Sequence, residues 1–184
     1  PMRSSALISS LLLLALGASL LAAGCGGRRD ALIDDNELLL AQAQAALGER
    51  HFQDASRKLA DIGLVTPIAP ELDPEIKLAL ADSYFYQSGV INAVEAQSRY
   101  EQFLGFYPLH EKATYARYQV GVCLYLQSEN PENDQEYTLL ALEHFDSMLR
   151  DLKSDDPWYL ACQAMRVQAF NKLAAHEWAV ARFY

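Results

Sequence analysis

The sequence is poor in positive charge, in cysteine and in chain breakers. Its 184 residues carry 15 Lys and Arg against 24 Asp and Glu, a formal net charge of −9. Neutralising nucleic-acid phosphates needs clustered cations, and none is present, so a nucleic-acid partner is excluded. Three cysteines cannot make a disulfide framework, and no two of them form a Cys-x-x-Cys pair. Seven Pro and nine Gly are too few for a fibrous or low-complexity chain. Gly-x-Ser-x-Gly, a Walker-type loop, Gly-x-Gly-x-x-Gly and His-Glu-x-x-His are all missing. No nucleophile, base and orienting group can be assembled, which points away from an enzyme. His51, His110, His144 and His176 share no metal-ligand spacing, so no metal and no cofactor is expected. What is abundant is apolar side chain, 51% of residues, enough for a sizeable core.

Residues 1–24 read as a lipoprotein signal peptide. Arg3 supplies a positive start, and an apolar run from Ala6 to Ala23 follows. Leu21-Ala22-Ala23-Gly24-Cys25 has the form of a bacterial lipobox, with Leu one place further from the cysteine than is usual. Small residues let a peptidase reach the backbone, and the Cys25 thiol is the atom that takes a diacylglycerol. The competing reading is a membrane span, but the run is short for one and is interrupted by Ser9, Ser10 and Ser19. The covalent lipid on Cys25 would then be the membrane anchor. Gly26, where Asp would mark inner-membrane retention, leans towards the outer membrane. Residues 25–35 are read as a flexible tether.

From Asn36 to Tyr184 the pattern is all-α, with no sustained alternation of period two. Breakers at Gly63, Pro67, Pro70, Pro74, Gly89, Pro108, Pro131 and Pro157 predict helices near 36–48, 51–62, 73–87, 91–106, 111–127, 137–152 and 157–174. A further helix is predicted from 176 onward. Asp73 and Asp156, each before a Pro, are expected to be helix N-caps. The helices pair, and the pairs resemble one another. Leu80-Ala81 with Tyr84, then Ala96, Tyr100, Phe103 and Pro108, echo Val120-Gly121 with Leu124, then Ala141, Phe145 and Met148. A large–small doublet with an aromatic, then Ala, an aromatic and Pro, is the tetratricopeptide pattern. The fold expected for 36–184 is therefore a tetratricopeptide-like helix-pair solenoid of about three and a half units. The small residues Ala81 and Gly121 and the alanines Ala55, Ala96 and Ala141 should stand where helices cross. Tyr84, Tyr100, Phe103 and Phe145 should be buried. Cys123 and Cys162 are open to two readings, a disulfide or two buried thiols.

Lipobox and repeats together narrow the field. The stretches Phe52-Gln53-Asp54-Ala55, Leu80-Ala81-Asp82-Ser83-Tyr84-Phe85-Tyr86, Tyr100 through Pro108, Tyr115–Leu126, and Lys172 through Tyr184 resemble the BamD (ComL) family. That resemblance implies a lipid-anchored scaffold at the outer membrane, facing the periplasm, in the machine that assembles β-barrel proteins. It implies as partners the β-barrel insertion subunit, other machine subunits and unfolded outer-membrane protein segments. Tetratricopeptide lipoproteins of pilus and secretin assembly share several of these motifs and form the alternative. The resemblance also implies five units, so the chain is expected to stop inside the fourth and to leave an uncapped apolar face after Ala161–Phe170.

A helix-pair ribbon curves towards the first helix of each pair. Counting along those helices selects Asp82, Phe85 and Tyr86 in the second unit, and Tyr115, Tyr118 and Tyr125 in the third, with Leu40 among the positions of the first. These are the candidate peptide-binding residues. Their rings would grip an extended, aromatic-ended peptide by apolar burial, the kind of segment with which outer-membrane strands alternate and end. About half of the selected aromatics are expected in the interhelix core.

Overall fold

The computed structural model describes residues 27–64, 67–128 and 130–184, with side chains from Asp35 onward. The signal segment, the lipobox and Cys25 lie outside the described residues. Ala, Leu, Glu and Gln dominate between the breakers, and these residues lose little rotamer freedom in a helix. They form seven described helices: α1 (Gly27–Gly48), α2 (Phe52–Asp61), α3 (Asp73–Tyr86), α4 (Val90–Phe106), α5 (Ala113–Gln127), α6 (Glu136–Asp151) and α7 (Tyr159–Phe183). No strand occurs among the described residues. Each helix packs on the next in sequence, and α1 also touches α3 as α5 touches α7. This is the helix-pair solenoid that the repeats predict: α1–α2, α3–α4 and α5–α6 are three units, and α7 opens a fourth.

The turns follow local chemistry. Gly89 precedes α4 with φ of 90°, a left-handed backbone that a side chain would strain, so the tight α3–α4 turn falls there. Asp73 is not the N-cap of α3. It is the first helical residue, and its carboxylate turns to Lys77 Nζ at 2.7 Å and to the Tyr107 hydroxyl. Asp156 does accept a backbone N–H, that of Trp158 at 2.8 Å, but one turn ahead of the helix that starts at Tyr159.

Two helix boundaries differ from the sequence reading. α1 begins at Gly27, so it continues across residues assigned to the tether; no proline interrupts the chain between Gly27 and Gly48. α7 is one helix of 25 residues, not two that part near 175. Lys172-Leu173-Ala174-Ala175-His176 contains neither Gly nor Pro, so nothing ends the helix. Lys172 Nζ donates to the Ser128 carbonyl at 3.0 Å, and His176 Nδ1 lies 2.6 Å from the Pro131 carbonyl oxygen, which fixes this stretch on the α5–α6 loop.

Packing divides the core in two. One cluster joins α1, α2 and the start of α3 through Leu40, Ala43, Leu59, Ile62, Ile76 and Ala79. The other runs from α3 to α7 and centres on Tyr100, Phe103, Phe145 and Met148. Helix α3 serves both, with Ile76 and Ala79 in the first cluster and Leu78 and Ala81 in the second. Ala55, Ala81, Ala96 and Ala141 are fully buried at the crossings, as the repeats require. Gly121 is packed so closely that a Cβ there would stand 2.7 Å from Phe145 Cζ. Tyr100, Phe103 and Phe145 are fully buried, but Tyr84 is only half-buried and rests beneath the Arg99 guanidinium, 6.0 Å from its ring centre. Leu40 belongs to the first core cluster and lines no groove. Cys123 and Cys162 are free and buried; desolvation pushes their thiols up to about 12 and about 11.

Candidate functional site

The candidate site is built on the late turns of α3 and the early turns of α5. In a helix, residues three and four apart share a face. Asp82, Phe85 and Tyr86 therefore stand together on α3, and Tyr115 and Tyr118 stand together on α5. The structure joins five of the six selected residues into one connected set.

Its polar centre is Asp82. Tyr100 from α4 donates its hydroxyl to Asp82 Oδ1 at 2.5 Å, and Tyr115 from α5 donates to the same oxygen at 2.7 Å. Gln119, one turn further along α5, donates to the Tyr115 hydroxyl at 3.0 Å. One carboxylate thus ties three helices. Burial raises the Asp82 carboxyl above the ordinary carboxylate range, although both tyrosine hydroxyls and Lys112 favour its charged form. Burial and the adjacent carboxylate together push the Tyr100 and Tyr115 hydroxyls well above the usual phenol range. These groups stay protonated and donate.

The rings form a continuous chain across the units. Phe52, at the start of α2, stacks on Tyr86 with centres 5.4 Å apart and planes at 27°. Tyr86 meets Phe85 edge-on at 5.3 Å, and Phe85 meets Tyr100 at 6.5 Å. Tyr100 contacts Tyr115 at 6.2 Å, and Tyr115 contacts Trp158 at 5.4 Å. Trp158 lies 5.1 Å from Tyr118, which in turn meets Phe145 at 6.0 Å. Tyr86 is 48% exposed, and Phe52, Phe85, Tyr115, Tyr118 and Trp158 are half-buried, whereas Tyr100 and Phe145 are core. Edge-to-face and offset geometries of this kind stabilise aromatic pairs by about 0.5–1.5 kcal/mol each beyond area burial.

Tyr125 is left out of this set. It lies ten residues beyond Tyr115, about 15 Å along the helix at 1.5 Å per residue. Its ring faces Lys172 Nζ at 5.1 Å, beside the bond from Lys172 to the Ser128 hydroxyl at 2.5 Å. Counting along the first helices of each pair missed Phe52, which begins the chain of rings, and Trp158, which links Tyr115 to Tyr118. Phe52 opens a second helix, and Trp158 precedes the first residue of α7. The sequence signal for both was only an aromatic at a helix start.

Among the described residues no group of His, Cys, Asp and Glu has the arrangement to hold a metal ion. Every buried side-chain N or O among them has a hydrogen-bond partner. What the arrangement offers is ring surface over a satisfied polar hub, a surface for binding. No described helix is long and apolar enough to cross a membrane. Two comparisons bear on identity. The family model YfiO, described as outer membrane lipoprotein, matches residues 34–184. A search of curated proteins finds no match.

Proposed function

This chain belongs to the YfiO family of outer membrane lipoproteins, and from that footing we propose that it is a periplasm-facing scaffold of outer-membrane β-barrel assembly, acting by binding and not by catalysis. It holds unfolded barrel segments on the face that bears the aromatic chain and presents them to the insertion subunit. The lipid on Cys25 keeps it at the membrane. The observation that carries this reading is the row of rings from Phe52 to Tyr118, which crosses from α2 to the start of α7. An outer-membrane strand alternates apolar with polar residues and carries aromatic girdles. Laid along the row, its rings would meet Tyr86 and the half-buried Phe85, Tyr115 and Tyr118, while Tyr100 links them from the core.

The test is peptide affinity. Phe85→Ala and Tyr118→Ala should each weaken binding of an aromatic-ended barrel-strand peptide by about tenfold, the factor that 1.4 kcal/mol represents, while the helical signal is retained. Tyr125→Ala should leave affinity unchanged. Affinity unaltered in both of the first two variants would remove the row from the binding surface. A pull-down from envelope membranes checks the partner: recovery of a barrel-insertion protein supports the reading, and recovery of secretin or pilus components replaces it.

A further inference from the structure

The Asp82 carboxylate is engaged through one oxygen only. Oδ1 takes both phenol hydroxyls, from Tyr100 at 2.5 Å and from Tyr115 at 2.7 Å. Oδ2 has no donor among the described residues. Every fully buried side-chain N or O among them does have a partner, so Oδ2 is not fully buried and keeps access to the open side. The residue as a whole is still half-buried, between the fully buried Ala81 and Ser83.

Asp82 also lacks a counter-ion. A carboxylate withdrawn from water loses hydration and is ordinarily paired with a cation or served by N–H groups. The other half-buried carboxylates follow this rule. Asp54, Asp73 and Asp146 each hold a Lys or Arg within ion-pair distance, and Asp156 accepts the Trp158 N–H. No Lys, Arg or His among the described residues comes within that distance of Asp82. Lys112, exposed just before α5, favours its charged form only through space. The two phenols hold an anion in place, and nothing in the chain uses its second oxygen.

The rings beside it suit the same ligand. Phe85 lies one turn along α3 and Tyr115 reaches over from α5, both half-buried, with Tyr100 in the core. Ring faces carry negative potential and attract cations. We infer that Asp82 Oδ2 is a cation-recognition point within the aromatic row, where a bound segment places the ammonium or guanidinium group of a Lys or Arg side chain. The inference rests on a segment lying along the row, as proposed above, and specifies its sequence. In an extended chain, alternate residues share a face about 6.6 Å apart. Ring centres from Phe85 through Tyr100 to Tyr115 are 6.5 and 6.2 Å apart, and the middle place is that of Tyr100, whose hydroxyl holds Asp82. The segment that fits therefore reads aromatic-x-basic-x-aromatic.

The experiment compares two peptides, acetylated and amidated, on the full chain by calorimetry. One has Phe-Thr-Lys-Thr-Phe at its centre and Gly-Ser flanks; the other has norleucine, which lacks the charge, in place of Lys. The wild type should bind the Lys peptide at least about tenfold more tightly. Asp82→Asn keeps Oδ1 as acceptor for both hydroxyls and puts an amide where Oδ2 stood. It should bind the norleucine peptide as the wild type does and lose the preference for Lys. Equal affinity of the wild type for the two peptides, a comparison that needs no variant, overturns the inference. A preference that survives in Asp82→Asn belongs to the net charge of −9 and overturns it equally. The row is judged separately, through Phe85→Ala and Tyr118→Ala. If both weaken the norleucine peptide while the wild type shows no preference for Lys, the row stands and the cation point falls. If neither does, or if the wild type binds neither peptide, the row falls and the cation point with it.

Discussion

At the residue scale, the fold rests on a few positions where chemistry leaves no latitude. Gly121 is one. Alanine is a better helix former than glycine by about 1 kcal/mol, which by itself would favour Gly121→Ala. The added Cβ would meet three ring atoms of Phe145 and His144 at 2.7–2.8 Å, and Phe145 is fully buried. Overpacking of this kind costs about 1–3 kcal/mol, so the variant should be destabilised, measured as a lower denaturation midpoint at an unchanged slope. Asp82 is the other. Asp82→Ala removes the acceptor for two tyrosine hydroxyls, one of them on the fully buried Tyr100. A buried donor left without a partner costs about 1–3 kcal/mol, so a loss of that order or larger should appear in urea unfolding. Asp82→Asn keeps Oδ1 as acceptor and should lose far less. The pH dependence has a definite sign. The folded carboxyl is raised above its ordinary value of 3.8, so the folded state binds the proton more readily than the unfolded one. Stability from this group is fullest below 3.8 and declines as pH rises through the folded value. The wild type should therefore gain on Asp82→Asn as pH falls across that window.

At the element scale, the unbroken α7 is the feature most open to test. Its second half is held to the α5–α6 loop by Lys172 and His176, and Ala175 between them is exposed. Proline in a helix interior costs about 3 kcal/mol, through a lost hydrogen bond and a clash with the preceding turn. Ala175→Pro should thus reduce helical ellipticity and free the segment after it, seen as lost amide protection from about residue 175 onward. A chain with two helices meeting at that residue would accept the proline. Burial of α5 explains another element-scale property. It packs on α4, α6 and α7 and so hides residues on several sides, among them the polar Gln119 and Gln127. Gln127 is satisfied in that setting because its amide N–H groups donate to Gln97 Oε1 at 2.6 Å and to the Cys123 carbonyl at 3.1 Å.

At the scale of the whole molecule, two core clusters share one helix and little else. The first unit meets the rest mainly through α3, the Phe52–Tyr86 stack and the bond from Gln87 to Ser56 at 3.3 Å. In a repeat array each unit gains stability from its neighbours, and among the described residues the first unit packs on one, through α3. Native-state hydrogen exchange should show two classes of protection, with α1 and α2 opening before α4, α5 and α6. A single class opening at one free energy would mean that the division of the core has no energetic counterpart. The aromatic row lies where units meet, and a cavity of about 350 Å³ lies on the other side of α3.

The helices, their pairing and the crossing alanines were legible in the residue order, because each depends on spacing within one helix or between neighbouring ones: Pro and Gly mark the ends, and Ala81, Ala96, Gly121 and Ala141 recur at matching places. Five of the six residues selected by counting also stand together in one connected set. Tertiary structure alone decided what those side chains do. Asp82 meets Tyr100 and Tyr115 across three helices, Trp158 joins Tyr115 to Tyr118 from a distance of 40 residues or more, and Tyr125 faces Lys172 instead of the row. Such contacts are set by the rotation and offset of one helix against another, which no local spacing encodes. The cavity behind α3 was equally hidden, since its walls come from three helices and its shape is what their packing leaves unfilled.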